Sequence, residues 1–260
     1  METNVSSSGA STRILSIEPR LPAKRLGVAV VKALVDVIVS GSLAPGDLLP
    51  PEVPLSLQFG VSRTVLRESV KRVEEKGLVT VAQGRGTRVE PSSSWNILDR
   101  VVLTSLIAHD DSLGVLDDLS VVRARLESAM AGETAQHRTA DQLSELRRAT
   151  ELMRASVGQP DSFDAADHAF HELVMAISGN RLAESIARIL FERARESIRY
   201  RGIASDEHVR FTLAEHEGVF AAIEDGDLER AERAMNAHII DAWQRRRLPD
   251  HRGARPAGRA

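Results

Sequence analysis

Three histidines and one aspartate in the later part of the chain have the residue types and the spacing of a metal site. Asp167 and His171 are four residues apart, so a helix through them would place both side chains at the edge of its apolar stripe. His216 and His238 fall on the apolar sides of two further helical segments. His168 would point away to solvent. Each inward histidine alone is more typical of a hydrogen-bonded core residue.

Together, the four residues indicate a ligand set. A buried carboxylate needs a partner to stay charged, and three neutral imidazoles with one carboxylate suit Zn²⁺ or a related divalent ion such as Ni²⁺ or Mn²⁺. From the spacing, a divalent metal site formed by Asp167, His171, His216 and His238 and a hydrogen-bonded polar core both remain open.

Arg123 suggests that the same region recognises an anion. It lies with Glu127 on the border of an inner stripe that we assign to Leu119, Val122, Leu126 and Met130. Its guanidinium could pair with Glu127, or its two-pronged edge could bind the carboxylate of a small effector whose other oxygens complete the metal shell. Both interpretations remain open from the spacing.

Basic residues earlier in the chain have the pattern of a DNA-reading helix. Gly60 supplies a turn and Ser62 an N-cap, after which one face of the helix is apolar. The opposite face gathers Thr64, Arg67 and Lys71, with Arg63 beside them. A solvated helix with ordinary surface arginines would show the same spacing.

The neighbouring elements favour the DNA-reading interpretation. An amphipathic helix precedes the segment, and Pro50 and Pro51 introduce a second short helix. After Gly77, residues 78–82 and 87–89 are predicted to be strands joined across a tip of Gln83, Gly84, Arg85 and Gly86. Three helices and a basic hairpin make a winged helix-turn-helix.

The predicted fold is mainly α, with this winged helix-turn-helix and its small β-hairpin wing followed by an all-α helical bundle. We assign residues 1–22 to a disordered arm, 23–90 to the DNA-binding domain, 91–97 to a linker, 98–245 to the bundle and 246–260 to a basic disordered tail.

Composition points to a cytoplasmic, soluble protein. The chain has no cysteine, so thiolate metal sites, disulfides and cysteine nucleophiles are excluded, and neither a signal peptide nor a membrane span is expected. The net charge is −3, but residues 23–90 contain 10 Lys and Arg against 7 Asp and Glu, whereas residues 91–244 contain 16 against 27. The part that we assign to DNA is the basic part.

Residues 26–90 resemble the DNA-binding domain of GntR-type bacterial regulators, in the Pro45-Gly46 turn, the Gly60-Val61-Ser62-Arg63 turn and the Gly84-Arg85-Gly86 wing. The resemblance implies operator contacts by Ser62, Arg63, Thr64, Arg67, Gln83 and Gly84, and Arg85 stands beside them at the wing tip. Val53 occupies the place where the family usually has a DNA-contacting arginine.

Residues 112–245 resemble the FCD effector domain of the FadR subfamily. The family's metal pattern falls on Asp167, His171, His216 and His238, and its effector-holding arginine falls on Arg123. The segment 95–99 is similar to that of members that answer sugar acids.

We therefore predict a homodimeric repressor, bound to an inverted-repeat operator in double-stranded DNA and released by a small carboxylate effector. The alternative is a metal-dependent enzyme with a DNA-binding appendage, because an open metal site could activate water. No further inward carboxylate or histidine takes an obvious general-base position, so we expect no enzyme activity.

Overall fold

The computed structural model describes residues 23–197 and 206–247, and these residues confirm the mainly α fold. The arm predicted at 1–22 and residues 248–260 of the predicted tail lie outside the described residues. The N-terminal part contains three helices and one hairpin: α1 (Ala23–Val39), α2 (Glu52–Phe59), α3 (Arg63–Glu75), β1 (Val79–Ala82) and β2 (Gly86–Val89).

Local sequence explains where α3 begins and ends. Gly60 ends α2 in the left-handed conformation (φ 62°), and the Ser62 side chain accepts a hydrogen bond from the Val65 N–H at 3.3 Å, as the N-cap assignment predicts. Gly77 follows α3 with φ 77°, and a Cβ there would lie 2.1 Å from the Ser94 carbonyl oxygen. Only glycine allows this approach of the chain after the wing.

The wing is a two-stranded antiparallel hairpin that packs on the end of α3. Val79 pairs with Val89 and Ala82 with Gly86, so Gln83, Gly84 and Arg85 form the tip. The Glu74 side chain of α3 accepts a hydrogen bond from the Val81 N–H at 2.7 Å. This bond fixes the hairpin against the helix that precedes it.

The second part is an all-α bundle around one long central helix. The helix α5 packs against four other helices of the bundle and also contacts α4. No helix among the described residues is long and apolar enough to cross a membrane. The helices of this part are α4 (Arg100–His109), α5 (Gly114–His137), α6 (Ala140–Ala155), α7 (Pro160–Ile177), α8 (Arg181–Glu196), α9 (Asp206–Asp225) and α10 (Leu228–Arg246).

The helix α4 belongs to the cores of both parts. Val102 is fully buried in the winged-helix core, whereas Leu103 and Ile107 pack into a cluster with α5, α8 and α10. At its start, Asp99 caps α4 and pairs with Lys76 at 2.5 Å, just after α3. Residues 91–97, which the sequence predicts to be a linker, also lie against the winged helix: the Trp95 indole packs on its core.

Candidate metal centre and DNA-binding surface

The four predicted metal ligands come together from three helices. Asp167 and His171 lie on α7, His216 on α9 and His238 on α10, and their ligand atoms all lie within 4.8 Å of one another. All four side chains are buried, the most exposed being Asp167 at 6%. The helices that carry them pack around α5, which explains how residues 71 positions apart in sequence share one site.

Hydrogen bonds determine which nitrogen of each histidine faces the centre. Nδ1 of His171 lies 2.7 Å from Glu127 Oε2, Nδ1 of His216 lies 2.8 Å from the Thr212 carbonyl oxygen, and Nδ1 of His238 lies 3.0 Å from Glu215 Oε2. A carbonyl or an ionised carboxylate only accepts, so each Nδ1 carries the proton and donates it. In a neutral imidazole with this tautomer, Nε2 presents a lone pair to the centre.

These inward lone pairs fit a divalent ion. Nε2 of His171 and Nε2 of His238 face each other at 3.2 Å, and Nε2 of His216 lies 3.3 Å from Asp167 Oδ1 without accepting a hydrogen bond from any described residue. Ligands at 2.0–2.1 Å from a tetrahedral ion are separated by roughly 3.3 Å. Lone pairs this close repel unless a positive charge lies between them, so the donor set suits a metal better than it suits a polar core.

The charge states of the buried groups also fit cation binding. Burial lowers the pKa of His216 to about 4 despite the neighbouring Asp167, and it lowers the pKa of His238 well below its usual value. Burial alone would raise the pKa of Asp167, but His216, His171 and Arg246 outweigh it and hold the pKa at about 2. An ionised Asp167 and neutral His216 and His238 are the protonation states that metal ligation by these three groups needs.

Two carboxylates outside the ligand set accept hydrogen bonds from His171 and His238, and each carboxylate also pairs with an arginine. Glu127 accepts a hydrogen bond from Arg123 Nε at 2.7 Å. The pKa of Glu127 falls to about 2 because Arg123 and His171 outweigh the effect of burial. Glu215 accepts hydrogen bonds from both terminal nitrogens of Arg245, each at 2.6 Å. Such partners orient ligating histidines and raise their basicity.

Arg123 therefore pairs with Glu127, which is one of its two predicted roles; binding of an effector carboxylate, the other role, stays a prediction. The guanidinium also lies 4.0 Å from the ring centre of Phe191 and lines the same pocket as three of the ligands. This pocket has a volume of only ≈10 Å³, about one water molecule. Its lining is formed by Arg123, Asp167, His171, Phe191, His238, Ile239, Ala242 and Arg246.

Two expectations about side-chain direction were wrong. Val122, assigned to the inner stripe of α5, is 45% exposed, whereas Arg123 and Glu127 are buried. The buried arc of α5 is wide because helices surround it, and polar residues of the site occupy part of that arc. His168 is half-buried rather than solvent-facing, with its ring 5.2 Å from that of Phe191 and its Nε2 3.3 Å from Glu172.

Three consecutive arginines at the end of α10 were missed by sequence reasoning. Arg245 binds Glu215, Arg246 lines the metal pocket, and Arg247 pairs with Asp117 at 2.7 Å. The sequence places the last two in a basic tail, but Arg246 is helical and both contact the bundle. Their direction depends on how α10 packs, so composition alone gave no signal for it.

The predicted DNA-contacting residues lie on two exposed surfaces of the winged helix. Arg63 and Arg67 stand one helical turn apart on α3, with side chains 65% and 70% exposed, and both approach Glu52 of α2. The other predicted contacts are also exposed: Ser62 and Thr64 at the start of α3, and Gln83, Gly84 and Arg85 at the wing tip.

Two family models match the chain. The model for bacterial regulatory proteins of the gntR family matches residues 26–89, and the FCD domain model matches residues 118–241. All four predicted metal ligands and the predicted recognition helix fall inside these matches.

Similar proteins are transcriptional regulators rather than enzymes. The HTH-type transcriptional regulator YieP of Escherichia coli is 32% identical over 86% of this chain and 96% of its own length. The galactonate operon transcriptional repressor of E. coli is 29% identical over 80% of this chain and 91% of its own length. The solved structure of Lar, which controls the expression of the Listeria monocytogenes agr system, aligns with a TM-score of 0.55 at 18% identity, covering 84% of this chain and 95% of that one, and supports the fold.

Proposed function

Because the chain belongs to the GntR family of bacterial regulatory proteins and carries an FCD domain, we propose that it is a transcriptional repressor that a small carboxylic acid, acting at a metal site, releases from its operator. One observation supports this proposal most strongly. In the part of the chain that follows the winged helix, four buried metal-ligand side chains cluster together, and three of them line one pocket with the guanidinium of Arg123.

In this proposal the winged helix reads the operator. One recognition helix covers only a few base pairs, so useful specificity needs two half-sites. We therefore infer a homodimer bound to an inverted repeat. The operator contacts that we propose are Ser62, Arg63, Thr64 and Arg67 of α3 and Gln83, Gly84 and Arg85 of the wing.

The metal site would be formed by Asp167, His171, His216 and His238, with Zn²⁺ as the first candidate ion and Ni²⁺ or Mn²⁺ as others. A bound divalent ion would supply a positive centre that an oxygen atom of the effector can coordinate. The chain's own residues prepare the site: Glu127 and Glu215 hold two imidazoles with Nε2 inward, and burial keeps His216 neutral.

A small hydroxy acid suits the pocket's charge. Arg123 and Arg246 both line the pocket, and a guanidinium binds carboxylate through two parallel hydrogen bonds. The name of one relative, the galactonate operon transcriptional repressor, supports sugar acids as the effector class to test first. Since ≈10 Å³ accommodates about one water, such an acid can enter only if side chains or helices around the pocket move.

Movement of the helices around the pocket would connect effector binding to the DNA-binding part. Arg123 of α5 and Phe191 of α8 line the pocket, and both helices also pack on Leu103 and Ile107 of α4. Val102 on the same helix is part of the winged-helix core. An effector changes operator affinity only by binding two arrangements unequally, and a coupling of about 1 to 3 kcal/mol corresponds to roughly 5- to 150-fold.

Replacing Arg63 of the recognition helix and Arg85 of the wing tip, one at a time, tests operator binding. Arg63→Ala should lower affinity for the operator by about 1 to 3 kcal/mol if the side chain binds guanine through two hydrogen bonds. Arg85→Ala should weaken binding to all sequences and flatten the dependence on salt, as expected for a phosphate contact. The measurement is fluorescence anisotropy with DNA selected from a random pool and with unselected DNA, on protein whose mass is determined by light scattering. A monomer that binds both DNAs equally would refute the proposal.

A further inference from the structure

A carboxylate of α2 lies between the two exposed arginines of the recognition helix. Glu52 Oε2 accepts a hydrogen bond from Arg67 Nε at 2.7 Å, and Oε1 lies 3.7 Å from Arg63 Nε. Oε1 is buried and accepts no hydrogen bond from the described residues. Glu52 is the first residue of α2, where the positive end of the helix dipole favours a negative charge. The carboxylate is thus stabilised by the start of α2 and lies close to both arginines.

The edge of the guanidinium that Glu52 uses matters for DNA reading. Arg67 donates to Glu52 through Nε, while the Arg67 side chain stays 70% exposed. A guanidinium has five donors in a planar fork, so a bond at Nε leaves the two terminal nitrogens able to donate in parallel. Two parallel donors are what O6 and N7 of guanine require in the major groove.

We propose that Glu52 is a positioning residue that orients Arg67 for guanine and reduces binding of the recognition helix to DNA backbone alone. The inference rests on the proposed role of Arg67 in operator contact. A held guanidinium loses less side-chain entropy when it meets a base. The carboxylate also repels phosphate, so it penalises those complexes in which Arg67 gains no base contact to offset that repulsion.

Glu68 supplies a matched control for charge. It is an exposed carboxylate on α3, adjacent in sequence to Arg67, and it makes no ion pair or hydrogen bond with its side chain among the described residues. Glu68→Gln and Glu52→Gln each remove one negative charge from the same surface. Only the second removes the charged partner of Arg67.

The experiment selects binding sites from a random double-stranded DNA pool with the full-length wild type, Glu52→Gln, Glu68→Gln and Arg67→Ala, and then measures affinity for selected and unselected duplexes. We expect both glutamine variants to bind unselected DNA more tightly than the wild type. Only Glu52→Gln should lose preference for guanine at the positions that Arg67→Ala also loses, with a specificity ratio lower by about fivefold or more.

The possible results separate the two proposals. If Glu52→Gln selects the wild-type sequence and matches Glu68→Gln in every affinity, Glu52 is only one of several surface charges and the inference is wrong. If Arg67→Ala selects the wild-type sequence, the operator contact assigned to Arg67 is wrong, and the role of Glu52 is excluded with it. Circular dichroism on each variant checks that the winged helix remains folded.

Discussion

At the residue scale, hydrogen bonds at Nδ1 decide that the three imidazoles can act as ligands. Nδ1 of His171, His216 and His238 each faces an acceptor, so in the neutral rings Nε2 keeps its lone pair in a buried space. The ligand types and spacing were predictable from sequence because Asp167 and His171 are one helical turn apart on an apolar segment. Glu215 and Arg245 were not predictable, since their contact depends on how α9 and α10 pack.

Replacing His216 tests the ligand assignment. His216→Ala should lower metal content sharply and remove the stabilisation that metal gives, about 2.7 kcal/mol at a free metal concentration 100 times the dissociation constant. Elemental analysis and thermal unfolding with and without added Zn²⁺ measure both. His137→Ala is the control, because His137 is exposed and, in the part of the chain that the structure describes, pairs only with its own helix; His168 is too buried to serve. Equal metal content in the two variants would contradict the assignment.

The two arginines that line the pocket should separate metal binding from effector response. Arg123 holds Glu127, which holds His171, so Arg123→Ala should weaken metal binding by about 10- to 100-fold as well as abolish release. Arg246→Gln should retain the metal and operator affinity but respond poorly to the acid, because Arg246 lines the pocket without being a ligand. Metal titration and operator release are measured on both variants. A normal response of Arg246→Gln would exclude it from effector binding.

At the element scale, local signals in the sequence were sufficient for the winged helix, and long-range packing was not. The Ser62 cap, the glycine turns and the two short strands are set by neighbouring residues, and the structure places them as expected. The position of α4 in two cores was not foreseen, because its alternating contacts with α1 and with the bundle are set by the tertiary fold. The face of α5 was misjudged for the same reason.

The cap of α4 provides a test of that helix as the connection between the two parts. Asp99→Ala removes the N-cap and the Lys76 pair, so we expect a loss of about 1 kcal/mol in stability and a weaker effect of the acid on operator affinity. Thr139→Ala is the matched control, because it removes the N-cap of α6, a helix that packs within the bundle. It should cost similar stability and leave release unchanged. If the acid released both variants from the operator equally, α4 would not be the connection between the bundle and the winged helix.

At the scale of the whole molecule, the pocket and the DNA-binding surface belong to parts with separate cores that share one helix. In the proposed function, an effector that enters this space of ≈10 Å³ moves the residues around it, and two helices that line it, α5 and α8, also contact α4. In a homodimer, such a displacement would change the distance between two recognition helices and thus their fit to both half-sites. A repressor is released when the favoured arrangement no longer matches the operator.

The most direct measurement is an operator-release titration on metal-loaded and metal-stripped protein. Fluorescence anisotropy of a labelled selected duplex would follow the addition of galactonate or gluconate, with glycerol as a neutral control. The loaded protein should lose operator affinity by about 5- to 150-fold. The stripped protein should bind the operator but show little or no response, and restoring Zn²⁺ should restore release. If stripped and loaded proteins respond equally to the acid, or if neither responds to any carboxylic acid, the proposed metal-dependent release is wrong.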